Sequence, residues 1–508
     1  MSATSLDPSP DVVVVGAGVA GLTVAHALAR AGRRVVVLES SDEVGGLLRR
    51  GDLDGLAIDI GAESFATRTT GVADLIADAE LAIEVVPPMP GGAHLAAMAD
   101  ADVVRAPLPT RTVLGIPADP LAADVVRILG PEAAARVAAE RELPATGDGA
   151  EPSLADLVAE RCGPELVSRL VDPLCRSVYS QPAAALRLSR VQPALWQEFQ
   201  RSGSLIAAAD AVASASRTGS AVAGLAGGMW RLPVALRAAA EASGATVRTG
   251  VAVRTVRAGA TGVTVESTAG RFTARAVVVA TGTRAAAAVL AESGETAADD
   301  PRTDTTLDAA ALGAPAPGAT TLDAARAERV RVVAALVRSR ALDEHPVGSG
   351  VIVAPDVPSR AKALTHANAK WPWLGDALGH RHPHHHVVRM SARDGSAPGL
   401  ETPADLAREI ALLTGIPLTT ADVVATASAV YDDAVAAPPV TPERRGELAH
   451  LGIHLAGASV AGTGLASVVP HARDLAAMLL ASLSADTVTA TAAAVNTVMH
   501  TATTGSSA

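Results

Sequence analysis

The residues whose types and spacing could do chemistry begin with a glycine turn, Gly16-Ala17-Gly18-Val19-Ala20-Gly21, and an acid beyond it, Glu39. Gly16 permits a tight turn, Gly18 lets a pyrophosphate approach backbone N–H groups, and Gly21 lets a helix pack close to a strand. Glu39 lies about 20 residues past the turn, where a carboxylate can accept hydrogen bonds from both hydroxyls of a ribose. An acid there would repel a ribose phosphate, which argues against NADP and leaves FAD or NAD. The flanking residues supply the elements that must position these groups. Val12 to Val15 read as a parallel strand covered on both faces. After the turn, Leu22, Ala25, Leu28 and Ala29 recur at helical spacing, with Gly32 at the C-cap. A second apolar strand, Arg34 to Leu38, delivers Glu39.

Composition bounds the rest. A chain of 508 residues is long enough for two or three structural domains around at least one large core. A net charge of −11 argues against nucleic acid as a partner. Cys162 and Cys175 match neither a redox pair nor a zinc knuckle and read as buried thiols in a reducing compartment. The first ten residues lack the basic start and apolar core of a signal peptide, and every apolar run is broken before membrane-spanning length. The expectation is a cytoplasmic protein with no transmembrane segment; peripheral membrane contact is left open.

Read in order, the chain suggests a cofactor domain assembled from separated segments. Residues 1–92 form its first segment, with a helix expected over 66–86 and a Pro/Gly cluster closing it. Residues 93–218 turn mostly helical, as a substrate-binding insertion would. Residues 219–290 return to the cofactor domain with a Gly-rich turn, a helix and strands. The Ala, Thr, Asp, Gly and Pro of 291–325 read as a linker or insertion, and 326–440 as an antiparallel sheet of the substrate domain. Residues 441–483 supply a last cofactor segment, in which Gly462-Thr463-Gly464 opens a helix whose N-terminus can stabilise negative charge. Residues 484–508 read as a disordered tail. The fold class is therefore α/β: a Rossmann-type dinucleotide-binding domain with an inserted α+β substrate domain and a helical subdomain.

Several stretches carry a resemblance. Gly45-Gly46 and the run Asp59 to Phe65 are similar to the extended FAD signature of the amine oxidase and protoporphyrinogen oxidase superfamily. Gly61 to Arg68, Pro107 to Pro120, Gly224 to Leu236, Lys362 to Leu374 and Leu455 to Val469 resemble the oxygen-dependent coproporphyrinogen/protoporphyrinogen oxidases of high-GC Gram-positive bacteria. The resemblance implies FAD contacts at Gly16, Ala17, Gly18, Val19, Ala20, Gly21, Glu39, Ser40, Gly46 and Leu47. It implies flavin-side contacts at Gly61, Ala62, Glu63 and Ser64, an adenine contact from Val253, and C-terminal contacts from Thr463, Gly464 and Leu465. Three places depart from that family: Arg176-Ser177 stand where it usually has Gly-Gly, Tyr431 where it usually has Trp, and Ala436-Ala437 where it usually has Pro-Gln.

The implied reaction oxidises a porphyrinogen with molecular oxygen and releases hydrogen peroxide, with FAD doing the hard chemistry. No metal and no Ser-His-Asp set are expected, and no general base can be named; the catalytic residues are unknown. The propionates of the substrate call for arginines, and Arg68 is the first choice. Resemblance favours coproporphyrinogen III over protoporphyrinogen IX, and a ferrochelatase is a candidate partner. Five histidines between His380 and His386 could suggest a transition metal, but they read as adventitious surface residues. Two rivals remain: another FAD oxidase such as an amine oxidase or carotenoid desaturase, and a non-catalytic scaffold like the GDP-dissociation inhibitors.

Overall fold

The structure, a computed structural model, describes residues 9–99, 102–144, 151–179, 181–215, 221–260, 262–291, 329–379, 382–392, 398–432, 434, 440–462 and 464–503. A five-stranded parallel sheet organises the cofactor side, in the order Thr246–Arg248, Val35–Leu38, Val12–Val15, Ala276–Val279, Ile453–Leu455. All four valines of Val12–Val15 are buried, as a strand covered on both faces requires. Leu22, Leu28, Leu232, Leu236, Val469 and Leu479 bury one face of this sheet, and Val256, Val265, Leu290 and Leu448 the other. Strands Val253–Gly259, Gly262–Ser267 and Gly270–Ala274 form an antiparallel meander on that second side.

A seven-stranded sheet forms the second layer system. Its order is Val423–Tyr431, Val330–Arg338, His385–Ala392, Ala361–His366, Gly350–Val353, His94–Ala99, Asp102–Pro107. One face packs on the helix Pro403–Thr414 through Val388, Met390, Leu406 and Ile410. The other face meets Leu53, Ile58 and Ile60 from the chain's first segment, with Trp371 and Leu374. The two sheets are thus joined through the short hairpin Arg50–Leu53 and Leu56–Asp59.

Three expectations change. Residues 94–107, read as the start of the helical insertion, are two strands of the seven-stranded sheet. The alternation of His94–Ala99 was hidden because alanines on both faces leave no polar side to mark a period of two. The helix expected over 66–86 is confined to Gly71–Asp78, and Val85–Val86 form a short strand. The helix opening at Leu465 runs to Thr503, past the residue where a disordered tail was expected. The stretch is rich in Ala, Val and Thr and has no Gly or Pro between 471 and 503 to stop it. The linker expected over 291–325 lies almost wholly outside the described residues.

The helical part holds its own core, with Leu154, Leu157, Leu166, Leu170, Leu195, Phe199 and Leu205 buried. Inside it, Glu140 is fully buried and pairs with Arg161. The Glu140 carboxylate also accepts from the backbone N–H groups of Leu205 at 2.9 Å and Ile206 at 3.2 Å, at the start of helix Leu205–Ala215. Arg161 donates onward to the carbonyl of Gly203 at 2.7 Å. Removing one partner strands the other charge, so Glu140→Ala should lose about 3–5 kcal/mol in denaturant unfolding. A loss below about 1 kcal/mol would show that the helices do not depend on this pair.

Candidate functional site

The first wall is the glycine turn. Gly16 has φ +101°, and a Cβ on Gly21 would lie 2.1 Å from the Gly16 carbonyl oxygen, so both positions must be glycine. A Cβ on Gly18 would meet nothing within 4 Å, so the backbone there borders open space. Gly18 is the N-cap of helix Val19–Arg30 and no side chain caps it, which leaves first-turn N–H groups for an anion. Glu39 ends the second strand, and its carboxylate accepts from Ala17 N at 2.8 Å and Ser41 N at 2.9 Å. One acid thus ties the glycine turn to the strand end. The backbone at 250–251 closes on the same place, with Gly250 N donating to Ser41 O and Val251 N to Glu39 O; Val253 opens the next strand.

The second wall is the loop after Asp59. Gly45 bridges to Gly18, and Ala62 N donates to Leu47 O at 2.9 Å. Leu47 is a large apolar side chain left exposed in this otherwise packed region. Asp59 accepts from Met229 N at 2.9 Å and Trp230 N at 3.0 Å, which anchors the Gly227-Gly228-Met229-Trp230 turn. Burial pushes the Asp59 carboxyl up to about 6 even though these N–H groups and Arg389 favour its charge.

Glu63 is the centre of this wall. Its carboxylate pairs with Lys370 at 2.6 Å and with Arg389, and Thr365 Oγ1 donates at 3.2 Å. Arg389 also donates to the carbonyl of Gly61. Burial alone would raise the Glu63 pKa; the two cations outweigh it and hold the carboxyl down at about 2. Lys370 and Arg389 were not singled out from sequence as site residues. Lys370 carried a signal, being one of only two lysines in the chain; Arg389 carried another, as a charge between valine and methionine in an apolar strand.

The third wall is C-terminal. Gly462 and Gly464 have φ +74° and +111°, and Cβ atoms there would meet nothing within 4 Å. Leu465 then starts the last long helix; Thr463 lies outside the described residues. Arg68 donates to Ser467 Oγ at 2.7 Å on that helix and has no acidic partner among the described residues. Tyr431 stands behind the Gly61–Ser64 loop. Its hydroxyl is shut off from solvent, 3.0 Å from where a Cβ on Gly61 would be, so it supports the loop rather than lining the open space.

A glycine turn bordering open space at an uncapped helix N-terminus, with an acid at the end of the second strand, fits FAD. The description "Flavin containing amine oxidoreductase" matches residues 19–305, more than half of the chain. The chain belongs to this family. FAD is its cofactor, and it is an oxidoreductase. Coproporphyrinogen III oxidase of Mycobacterium tuberculosis (strain H37Rv) is 29% identical over 405 residues, 77% of this chain and 78% of that protein. Coproporphyrinogen III oxidase of Bacillus subtilis (strain 168) is 27% identical over 206 residues, 39% of this chain and 43% of that protein. A crystal structure from Exiguobacterium sp. 255-15, described there as a candidate protoporphyrinogen oxidase, superposes with TM-score 0.71 at 20% identity, covering 93% of this chain and 99% of that one. Cyclohexylamine oxidase from Brevibacterium oxydans IH-35A superposes with TM-score 0.58 at 18% identity, covering 94% and 100%. These structures share the fold.

The histidine stretch is not merely a surface feature. His386 is 3% exposed, and its Nδ1 lies 2.9 Å from His366 Nε2 while its Nε2 reaches Ser339 O at 3.0 Å and Asp343 Oδ1 at 3.1 Å. The strand's alternation sends His386 to the face that also buries Val388 and Met390. Burial pushes His366 down to about 3. His380 lies outside the described residues, and among those described no group of three His, Cys, Asp or Glu is arranged to hold a metal. Nor is any described helix long and apolar enough to cross a membrane.

Two measurements check this site. The Glu63 carboxyl is depressed in the fold, so its stabilisation is complete above the unfolded value near 4.5 and is lost as pH falls towards about 2. Glu63→Gln should therefore lower stability by roughly 3 kcal/mol at pH 7, and the gap to the parent should close between pH 4.5 and 2. A gap that did not vary with pH would assign the loss to packing instead. Glu39→Ala should weaken FAD binding by on the order of tenfold or more in equilibrium titration.

Proposed function

We propose that this chain is a coproporphyrinogen III oxidase using oxygen as acceptor. Three two-electron steps remove six hydrogens from coproporphyrinogen III, and three oxygen molecules become three hydrogen peroxide, leaving coproporphyrin III. The chemistry FAD supplies when bound is this two-electron oxidation.

The chain's own residues bind, orient and shield. Backbone N–H groups of Gly16 to Gly21 hold the pyrophosphate, Glu39 with Ser40 takes the ribose, and Val253 the adenine end. Gly46, Leu47 and Gly61 to Ser64 border the flavin, and the N-terminus at Gly464-Leu465 presents its dipole to the other edge. Glu63 is a positioning residue here: with its carboxyl held at about 2 it is too weak a base to take a proton near neutral pH, whereas its two ion pairs hold the loop in place.

Arg68 carries the substrate assignment. Its one side-chain hydrogen-bond partner among the described residues is a serine hydroxyl, so its charge is free to take a carboxylate such as a propionate. A protonated amine would meet this cation uncompensated, which disfavours an amine substrate. The 29% identity to the mycobacterial coproporphyrinogen III oxidase, over 77% of this chain, supports the same reading. The product is a porphyrin awaiting a metal, so a ferrochelatase is the fitting next enzyme.

Incubation in air should give porphyrin fluorescence and peroxide, with higher kcat/KM on coproporphyrinogen III than on protoporphyrinogen IX. The first carries two more carboxylates, and cations left unpaired in a desolvated pocket cost affinity. Arg68→Met should raise KM by about tenfold on coproporphyrinogen III while leaving the flavin spectrum unchanged. Preference for protoporphyrinogen IX would reassign the substrate, and oxidation of an amine with no porphyrin formed would reassign the activity.

A further inference from the structure

The far end of the seven-stranded sheet carries a second polar recess. A cleft of about 690 Å3 opens between Arg338, Ser339 and Arg340 on one side, Pro383, His384 and His385 on another, and Pro417, Leu418 and Asp422 on the third. Strand Val330–Arg338 places it away from the flavin-side loop. Tyr431, whose hydroxyl touches that loop, pairs with Val330, whereas Arg338 pairs with His385 at the cleft. Eight residue steps of strand separate the two ends by roughly 26 Å.

The charges on this wall are unbalanced. Arg338 and Arg340 form no ion pair among the described residues, in a protein of net charge −11 where many arginines do. Asp422 is the one acid on the wall; its carboxylate accepts from Thr419 N at 2.7 Å and Thr419 Oγ1 at 2.8 Å and lies in the field of Arg338 without a contact pair, so one negative charge faces two guanidinium groups. The size lies in the range of small-molecule sites.

The imidazoles are held in place from behind. His384 adopts φ +60°, a left-handed conformation rare for a side-chain-bearing residue, and its Nδ1 lies 2.7 Å from Asp343 Oδ2. The other oxygen of Asp343 takes the buried His386, so the rim is braced by the core of the sheet. His385 Nδ1 lies 2.9 Å from the Pro383 carbonyl, which can only accept, so Nδ1 carries the proton and Nε2 is the free acceptor. The carboxylate beside His384 Nδ1 selects the same tautomer. Two guanidinium groups and two imidazole acceptors therefore share one recess.

We propose that this cleft binds a small anion that also carries a hydroxyl group, a hydroxy-polycarboxylate or a phosphorylated polyol. The anionic groups pair with Arg338 and Arg340, and the hydroxyl donates to an imidazole Nε2. A cation is disfavoured by the same two arginines. The site is independent of the flavin site and of the substrate assigned above.

Calorimetric titration of the FAD-loaded protein would use three probes: citrate, ribose 5-phosphate, and tricarballylate, which is citrate without its hydroxyl. Citrate or ribose 5-phosphate should bind with Kd of about 1 mM or tighter, and tricarballylate about tenfold more weakly than citrate. The double variant Arg338→Ser/Arg340→Ser should weaken citrate at least about tenfold, with flavin spectrum and turnover unchanged as the check on folding. Citrate binding that the double variant leaves intact would put the anion elsewhere. Absence of binding to any probe at about 10 mM, or equal binding of citrate and tricarballylate, would overturn the proposal or its hydroxyl contact respectively.

Discussion

Glu63 sits between two cations that come from a different part of the chain more than 300 residues away, Lys370 and Arg389. The loop that carries it begins at Asp59, which anchors the Gly227–Trp230 turn, and Arg389 reaches the Gly61 carbonyl on the same loop. Removing this buried carboxylate would strand two positive charges away from water, which is far costlier than losing an exposed pair. The position of the Gly61–Ser64 loop relative to the seven-stranded sheet depends on this knot. Asp59 shows the contrasting case: it has backbone N–H donors but no contact ion pair among the described residues, and burial moves its carboxyl towards neutrality.

The arrangement divides work among three kinds of contact. Glycine backbones make close approaches possible, at Gly21 against Gly16 and at Gly61 against Leu47 and Tyr431. Carboxylates tie loops together, Glu39 at the glycine turn and Glu63 between the Gly61–Ser64 loop and the seven-stranded sheet. Arg68, with no acid partner among the described residues, ties the end of that loop to the last helix through Ser467. None of these needs a side chain to transfer a proton, which suits a reaction whose chemistry resides in the cofactor.

Tyr431 illustrates how a departure from a family pattern is absorbed. Its ring fills the sheet face with Trp371 and Ile60, and its hydroxyl lies against Gly61 behind the loop. The position is structural, so exchanging one large aromatic for another changes the support of the loop rather than the surface offered to a ligand.

Local chemistry determined the cofactor half of this protein. The Val12–Val15 strand, the Gly16–Gly21 turn, Glu39 and the Gly462–Leu465 helix start are each specified by residues within a few positions of one another. Backbone conformation, capping and apolar period are local properties. What joins Glu63 to Lys370 and Arg389, buries His386 while leaving His384 in solvent, or brings residues 94–107 into a sheet with 350–353 depends on pairings across hundreds of residues. No local period encodes such a partner. Ion pairing and strand register are selected by burial, and burial exists only once the two sheets have closed on each other.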